Sequence, residues 1–272
     1  MADADAHSTD ETILTRDAAL LQETVREAGR LAQSMFRTEL RKWTKGASSP
    51  VSEADIAVND LLEARLRSAA PDYGWLSEES ADDATRLSRR RTWVVDPIDG
   101  TRNFLNGHDE WCVSVALVEG ASPVLAAVFA PTSDEFFFAA RGQGTTLNGR
   151  AVRATSGSVL DFSRVAGPKP MVERLNMSGG DIKLHPRIGS LALRLCRVAD
   201  GVLDAAFAGG NSHDWDLAAA DLIVQEADGR MSDLSGDPIL YNRREVTHGV
   251  LVAAGRDRHA GIVAHFRDRP LP

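Results

Sequence analysis

Cysteine is scarce in this chain. Cys112 and Cys196 are the only two, and both sit in apolar runs, which argues against a disulfide framework and fits a reducing, cytoplasmic setting. Long hydrophobic runs are missing as well. None approaches the roughly 20 residues needed to span a bilayer, so no membrane is expected as a partner. Residues 1–10 are acidic and polar and lack the basic start and apolar stretch of a signal peptide; a flexible tail is expected over 1–15. There is no excess of positive charge. Thirty-one Lys and Arg face 39 Asp and Glu, giving a net charge of -8, whereas a general nucleic-acid binder needs a basic face. A small anionic substrate remains compatible with that balance, because bound metal ions invert the local field. No repeat or low-complexity tract occurs.

What is present is a globular composition. The 272 residues are 43% hydrophobic and 26% charged, enough for a sizeable core in one large domain or two fused halves. Over 17–36 apolar residues fall at Leu21, Val25, Ala28, Leu31, Ala32 and Met35, which is helical spacing. A polar loop over 45–50 precedes a second helix from about Ser52, with Val58, Leu61, Leu62 and Leu66 on one face and Pro71 at its end. Strands are predicted at 93–95, 111–118, 124–130 and 135–139, separated by turn residues. Asn148-Gly149 is a tight-turn signal. Beyond a weak break at 154–157, strands are predicted at 159–166, 181–185, 202–207 and 250–254. Helices are predicted at 191–199, 215–227 and 257–266. Helices and sheets in successive layers give an α/β sandwich.

The chemistry concentrates in Trp93-Val94-Val95-Asp96-Pro97-Ile98-Asp99-Gly100-Thr101. A buried strand would deliver Asp96 at its end, Pro97 would stop the ladder, and Asp99 would come round three residues later. Two carboxylates and the Ile98 carbonyl can then face one small volume, a set of hard oxygen donors suited to magnesium or manganese. Gly100 and Thr101 would open a helix whose N–H groups can hold phosphate. The plainer reading is an Asp-Pro turn with Asp99 as a helix cap. Glu78-Glu79 on a loop is ordinary by itself. Asp216 in a first helical turn is favourable without any metal, and Ser52-x-x-Asp55 resembles a capping box.

Taken together, Glu78-Glu79, the Asp-Pro-Ile-Asp-Gly-Thr string and Trp215-Asp216 resemble, in order and spacing, the inositol monophosphatase superfamily of lithium-sensitive, magnesium-dependent phosphatases. The resemblance runs from about Lys45 to Gly255 and takes in Gly142-x-Gly144, Asn148-Gly149 and Glu226-Ala227-Asp228-Gly229. It implies a layered αβαβα sandwich like that of fructose-1,6-bisphosphatase. It also implies a single phosphatase domain over 16–272, with a metal-binding half to about 154, and assembly as a homodimer. By the same resemblance Glu78 is a ligand of a first metal and Asp96 bridges two metals. Ile98 offers its carbonyl, and Asp99 and Asp216 complete the second site. Two or three magnesium ions per subunit, with manganese as a substitute, would be bound. Thr101, oriented by Asp55, corresponds to the pair that polarises the attacking water, with Glu78 also counted in the catalytic set. Gly100 and Thr101 would hold the phosphate, with Lys45 near the metals and His213 near the substrate. Glu79 is not placed as a ligand.

Other motifs carry less. Gly142-x-Gly144 lacks the rest of a nucleotide fingerprint and reads as a turn. The histidines lack zinc-ligand spacing, Arg89-Arg90-Arg91 reads as a solvated loop, and Cys112 reads as core, without the Cys-x5-Arg of a cysteine phosphatase. For the substrate, a small phosphorylated metabolite, the resemblance branches. Inositol monophosphatases carry a diol-binding glutamate seven residues before the aspartate that stands here as Asp216, and this chain has Gly209. Leu76 to Glu79, Asp82-Asp83, Arg86-Leu87 and Arg102 look more like bacterial 3′(2′),5′-bisphosphate nucleotidases, whereas Asn103-Phe104 looks like inositol monophosphatases. The expectation is a nucleotidase acting on adenosine 3′,5′-bisphosphate. The alternatives are an inositol-1-monophosphatase and a regulatory or RNA-associated relative.

Overall fold

The computed structural model describes residues 2–45, 49–160, 163–176 and 182–268. Helices α1 (Ala2–Met35) and α2 (Glu53–Ala69) flank a hairpin of β1 (Lys42–Lys45) and β2 (Ser49–Ser52). Then come β3 (Gly74–Ser77), β4 (Arg91–Asp99), the short α3 (Thr101–Leu105), β5 (Cys112–Glu119) and β6 (Ser122–Ala130). The first half closes with β7 (Glu135–Ala140), β8 (Thr145–Leu147) and β9 (Arg150–Ala151). Strands β3 to β9 form a seven-stranded sheet in chain order, parallel at β3/β4 and antiparallel elsewhere.

The second half supplies β10 (Arg164–Ala166), α4 (Lys169–Asn176), β11 (Lys183–Leu184), α5 (Leu191–Ala199) and β12 (Ala205–Ala208). After these come β13 (Ser212–His213), α6 (Asp214–Glu226), β14 (Gly229–Asp233), β15 (Thr247–His248), β16 (Leu251–Gly255) and α7 (Arg256–Asp268). A five-stranded sheet has the order β11-β10-β12-β16-β14, and β13 pairs with β15 on its own.

Alternation along the strands sets the layers, because successive side chains point to opposite faces. On one face of the first sheet Trp93, Val95, Val115 and Leu117 pack against Leu21 and Val25 of α1 and Val58 and Leu62 of α2. On the other face Val94, Cys112, Ala116 and Val128 meet α5 and α6, which in turn meet Ala206 and Ala253 of the second sheet. The far face of that sheet, with Phe207 and Val252, is covered by Val172 of α4 and by Ile262 and Phe266 of α7. The order is therefore αβαβα, as expected. Ala218, Ala219 and Ala220 keep α6 slim enough to lie between two sheets, and burying each larger aliphatic side chain there stabilises the fold by about 1.5–3 kcal/mol.

Several local expectations shift. Residues 2–15, expected as tail, belong to α1, and their alanine-rich, acidic composition suits the first turns of a helix. In the polar 45–50 stretch, expected as a loop, Lys45 ends β1 and Ser49-Pro50 begin β2, while 46–48 lie outside the described residues. Of the strand expected over 159–166 the described residues show Arg164–Ala166, with 161–162 outside them, and of that over 181–185 they show Lys183–Leu184, with Asp181 outside them. Gly142 and Gly144 have φ of 75° and 80° and form a turn after β7, held by Glu226, which accepts both amides at 2.9 Å. Asn148 and Gly149, at φ of 51° and 77°, make the tight turn between β8 and β9.

Candidate active site

Strand β4 is buried along its whole length. Asp96 pairs with Ser114 and Asp99 with Cys112, and the register breaks between them at Pro97, which has no N–H for the ladder. The break lets both acids emerge at one end of the sheet. Gly100 then turns the chain into α3 with φ of 96°, a conformation that favours glycine. A side chain is disfavoured there for a second reason: a Cβ would stand 3.0 Å from the Glu110 carbonyl and 3.3 Å from the backbone of Ser190, so these neighbours would have to give by a few tenths of an ångström.

Asp216 arrives from the first turn of α6, where its carboxylate accepts the His213 amide at 2.6 Å. One oxygen each of Asp96, Asp99 and Asp216 lie within 4.8 Å of one another. They share a cavity of about 270 Å³ with Glu78, Ile98, Gly100, Thr101, Arg102 and Arg187. Grooves of about 590 and 610 Å³ lie along α1, but each has a single carboxylate, Asp134 in one and Glu119 in the other. Chemistry, rather than size, marks the smaller cavity.

The acids are held where their charged forms are unfavourable. Burial, then the neighbouring Glu78 and Asp99, pushes the Asp96 carboxyl well above the usual carboxylate range. Burial and Asp216 raise Asp99 to about 6, against hydrogen bonds from Ser190 and the 191–192 backbone. Burial raises Glu78 to about 7, with Lys45 opposing. Lys45 donates to the Glu78 carbonyl at 2.5 Å and to Glu79 at 2.9 Å, so Glu79 is engaged by the lysine beside the cavity.

Asp55 lies behind Thr101. One of its oxygens accepts the Ser52 amide and hydroxyl at 2.7 and 2.6 Å, completing the capping box of α2. The other lies 3.1 Å from the Thr101 hydroxyl, which is also 2.9 Å from the Ile98 carbonyl. A hydroxyl carries one proton, so Thr101 chooses between these acceptors and keeps lone pairs for a donor. His213 does not line the cavity; it lies beside Asp216, stacked on Trp215 at 4.6 Å, and Asp216 raises its pKa.

The donor set fits a divalent cation. Asp96 Oδ1 is buried without a hydrogen-bond partner among the described residues, which is costly for a carboxylate unless a cation completes it. Asp96 is one of three carboxylates, with Asp99 and Asp216, whose hard oxygens converge there.

Sequence reasoning missed Ser190. Its hydroxyl and the Ala192 amide each bond Asp99 Oδ2 at 2.5 Å, and its oxygen caps α5. The signal was available, since Gly189-Ser190 directly precedes an apolar helical run. Gly209 is half-buried, with only Pro168 within 4 Å of an added Cβ, at 3.6 Å, and its φ is not positive.

Comparison with known proteins gives a consistent picture. A model described as the inositol monophosphatase family matches residues 14–271. A protein named Nus factor SuhB from Xylella fastidiosa is 39% identical over 197 residues, covering 68% of this chain and 69% of that one. An inositol-1-monophosphatase from Rhizobium meliloti is 31% identical over 269 residues, covering 94% and 98%. Among solved structures, extragenic suppressor protein suhB from Bartonella henselae matches with a TM-score of 0.80 at 27% identity, over 93% of this chain and 98% of that one.

Proposed function

The chain belongs to the inositol monophosphatase family and is a phosphoric monoester hydrolase, and from that premise we propose a magnesium-dependent phosphatase of small phosphorylated metabolites. The observation that carries the reading is the partnerless Asp96 Oδ1 beside Asp99 and Asp216. Magnesium held by Glu78, Asp96, the Ile98 carbonyl, Asp99 and Asp216 would neutralise the ester and lower the pKa of the attacking water. Thr101, with Asp55 accepting its proton, orients that water. The amides of Gly100 and Thr101 bind the phosphate, Lys45 steadies the Glu78 side, and His213 borders the leaving group.

For the substrate, the relatives named inositol monophosphatase support an inositol phosphate. A second reading, adenosine 3′,5′-bisphosphate, is favoured by Gly209, which offers no side chain to a sugar diol, and by Arg102 and Arg187 in the cavity wall. The relative named Nus factor supports a regulatory role as a reading of another class. Phosphate release from both esters, compared by kcat/KM at saturating magnesium, separates the two substrates. Activity is expected to vanish on chelation, return with magnesium and fall with lithium. Cation binding without turnover on either ester would favour the regulatory role, and undiminished activity after chelation would remove the metal mechanism.

A further inference from the structure

Glu78 follows β3 and Asp216 lies in the first turn of α6, so the acids come from elements far apart in the chain. A partly buried relay of hydrogen bonds, which the proposed chemistry does not use, joins those elements. Arg86 lies in the single turn Ala84–Ser88 packed on β3, and it is only 1% exposed. Gly74 at the start of β3 makes room for it, since a Cβ there would stand 2.8 Å from Arg86 Cβ. The guanidinium is engaged on two sides. It grips Asp82 at 2.6 and 2.9 Å, and it donates to Asn242 Oδ1 at 2.8 Å and to the Arg243 carbonyl at 2.9 Å.

Asn242 faces both ways. Its φ of 54° lies in the left-handed region, which asparagine tolerates better than most residues. While its side chain accepts from Arg86, its amide donates to Asp214 Oδ2 at 2.6 Å. Asp214 is fully buried and opens α6 two residues before Asp216. Its other oxygen lies 2.6 Å from His248 Nε2 on β15. One residue earlier, the Tyr241 hydroxyl donates to Asp221 further along α6 at 2.9 Å. The 241–248 segment is thus fastened to the helix that carries Asp216, and Arg86 fastens it to the layer that carries Glu78.

We propose that Asn242 is a positioning residue, which through Arg86 and Asp214 locks the Glu78 side of the centre to the Asp216 side and so fixes the spacing of the acids. The proposal rests on reading those acids as cation ligands. Asparagine suits the position for two reasons at once. Glycine would match the backbone but leave one buried guanidinium N–H unpaired, and a larger apolar residue would match neither.

The test uses the full chain and Mn²⁺ as the probe, with binding read by the electron paramagnetic resonance of free Mn²⁺ and by calorimetry. Asn242→Gly is expected to lower the melting temperature of the cation-free protein only modestly, the cost of the unpaired N–H, and to weaken Mn²⁺ binding roughly tenfold, the usual scale for residues that orient ligands. Asn242→Asp restores an acceptor for Arg86 and is expected to recover most of the affinity. Arg86→Lys combined with Asn242→Gly is expected to lose little more than the worse single variant, since both act in one relay. Unchanged Mn²⁺ affinity in Asn242→Gly overturns the proposal, as does a lowered melting temperature without an affinity change. Additive losses in the double variant overturn it too. Wild-type protein that binds no Mn²⁺ would instead remove the reading of the acids as ligands, and the proposal with it.

Discussion

Asp96, Asp99 and Glu78 have each lost water and gained negative neighbours, and either change favours the protonated carboxyl. Asp96→Asn keeps the shape and removes one charge from the group. Its expected effect is loss of phosphate release with a melting temperature, for the cation-free protein, equal to or above that of the wild type. A variant that unfolds would show that Asp96 serves the fold instead. The same shifts set a pH dependence. A carboxyl with a raised folded pKa binds its proton more tightly when folded. Its stabilisation is therefore full below the unfolded carboxyl range of about pH 4 and is lost as pH rises. The loss passes through about 6 for Asp99 and about 7 for Glu78. Cation binding needs the charged forms, so it should strengthen across the same interval and release protons. The melting temperature of cation-free protein is expected to fall from about pH 5 to about pH 8, while the increment from added magnesium grows. An increment independent of pH would contradict this.

The turn from β4 into α3 is the element on which the centre depends. Gly100→Ala places a side chain at φ of 96° and within 3.3 Å of Ser190, the residue that holds Asp99. Its expected cost is more than about 1 kcal/mol in denaturant unfolding, with reduced activity. Gly209→Ala, at ordinary φ with its nearest neighbour 3.6 Å away, is expected to change stability by less than about 0.5 kcal/mol. Equal costs at the two sites would refute the argument from backbone conformation. The Gly100 turn was legible in the sequence because its signals are contiguous: an apolar strand, a proline, two acids and a glycine. Helix α6 was legible through its long apolar run. Asp55 showed its local role, capping α2, but its contact with Thr101 depends on how α2 lies beside the β4 turn. The β1/β2 hairpin was hidden because its strands are short and polar. Nothing local announces that Arg86 will meet Asn242, since neither residue departs from what a surface loop would carry.

On the scale of the whole molecule the two sheets differ in how their strands find each other. The first is assembled in chain order, with each strand beside its predecessor. In the second, β16 must enter between β12 and β14, both of which precede it. Pairings close in sequence generally form sooner than distant ones, so the first sheet is expected to assemble early in refolding and the second to close late. The consequence concerns timing at the active site. Asp96 and Asp99 belong to the early sheet and Glu78 directly follows its first strand, while Asp216 sits on a helix that has no complete bed until the late sheet closes around it. A refolding chain would thus hold most of its acidic cluster before it can retain a cation. Stopped-flow refolding with Mn²⁺ present should show cation capture in the slowest phase, after most strand signal has returned, and capture in the earliest phase would reverse that order of events.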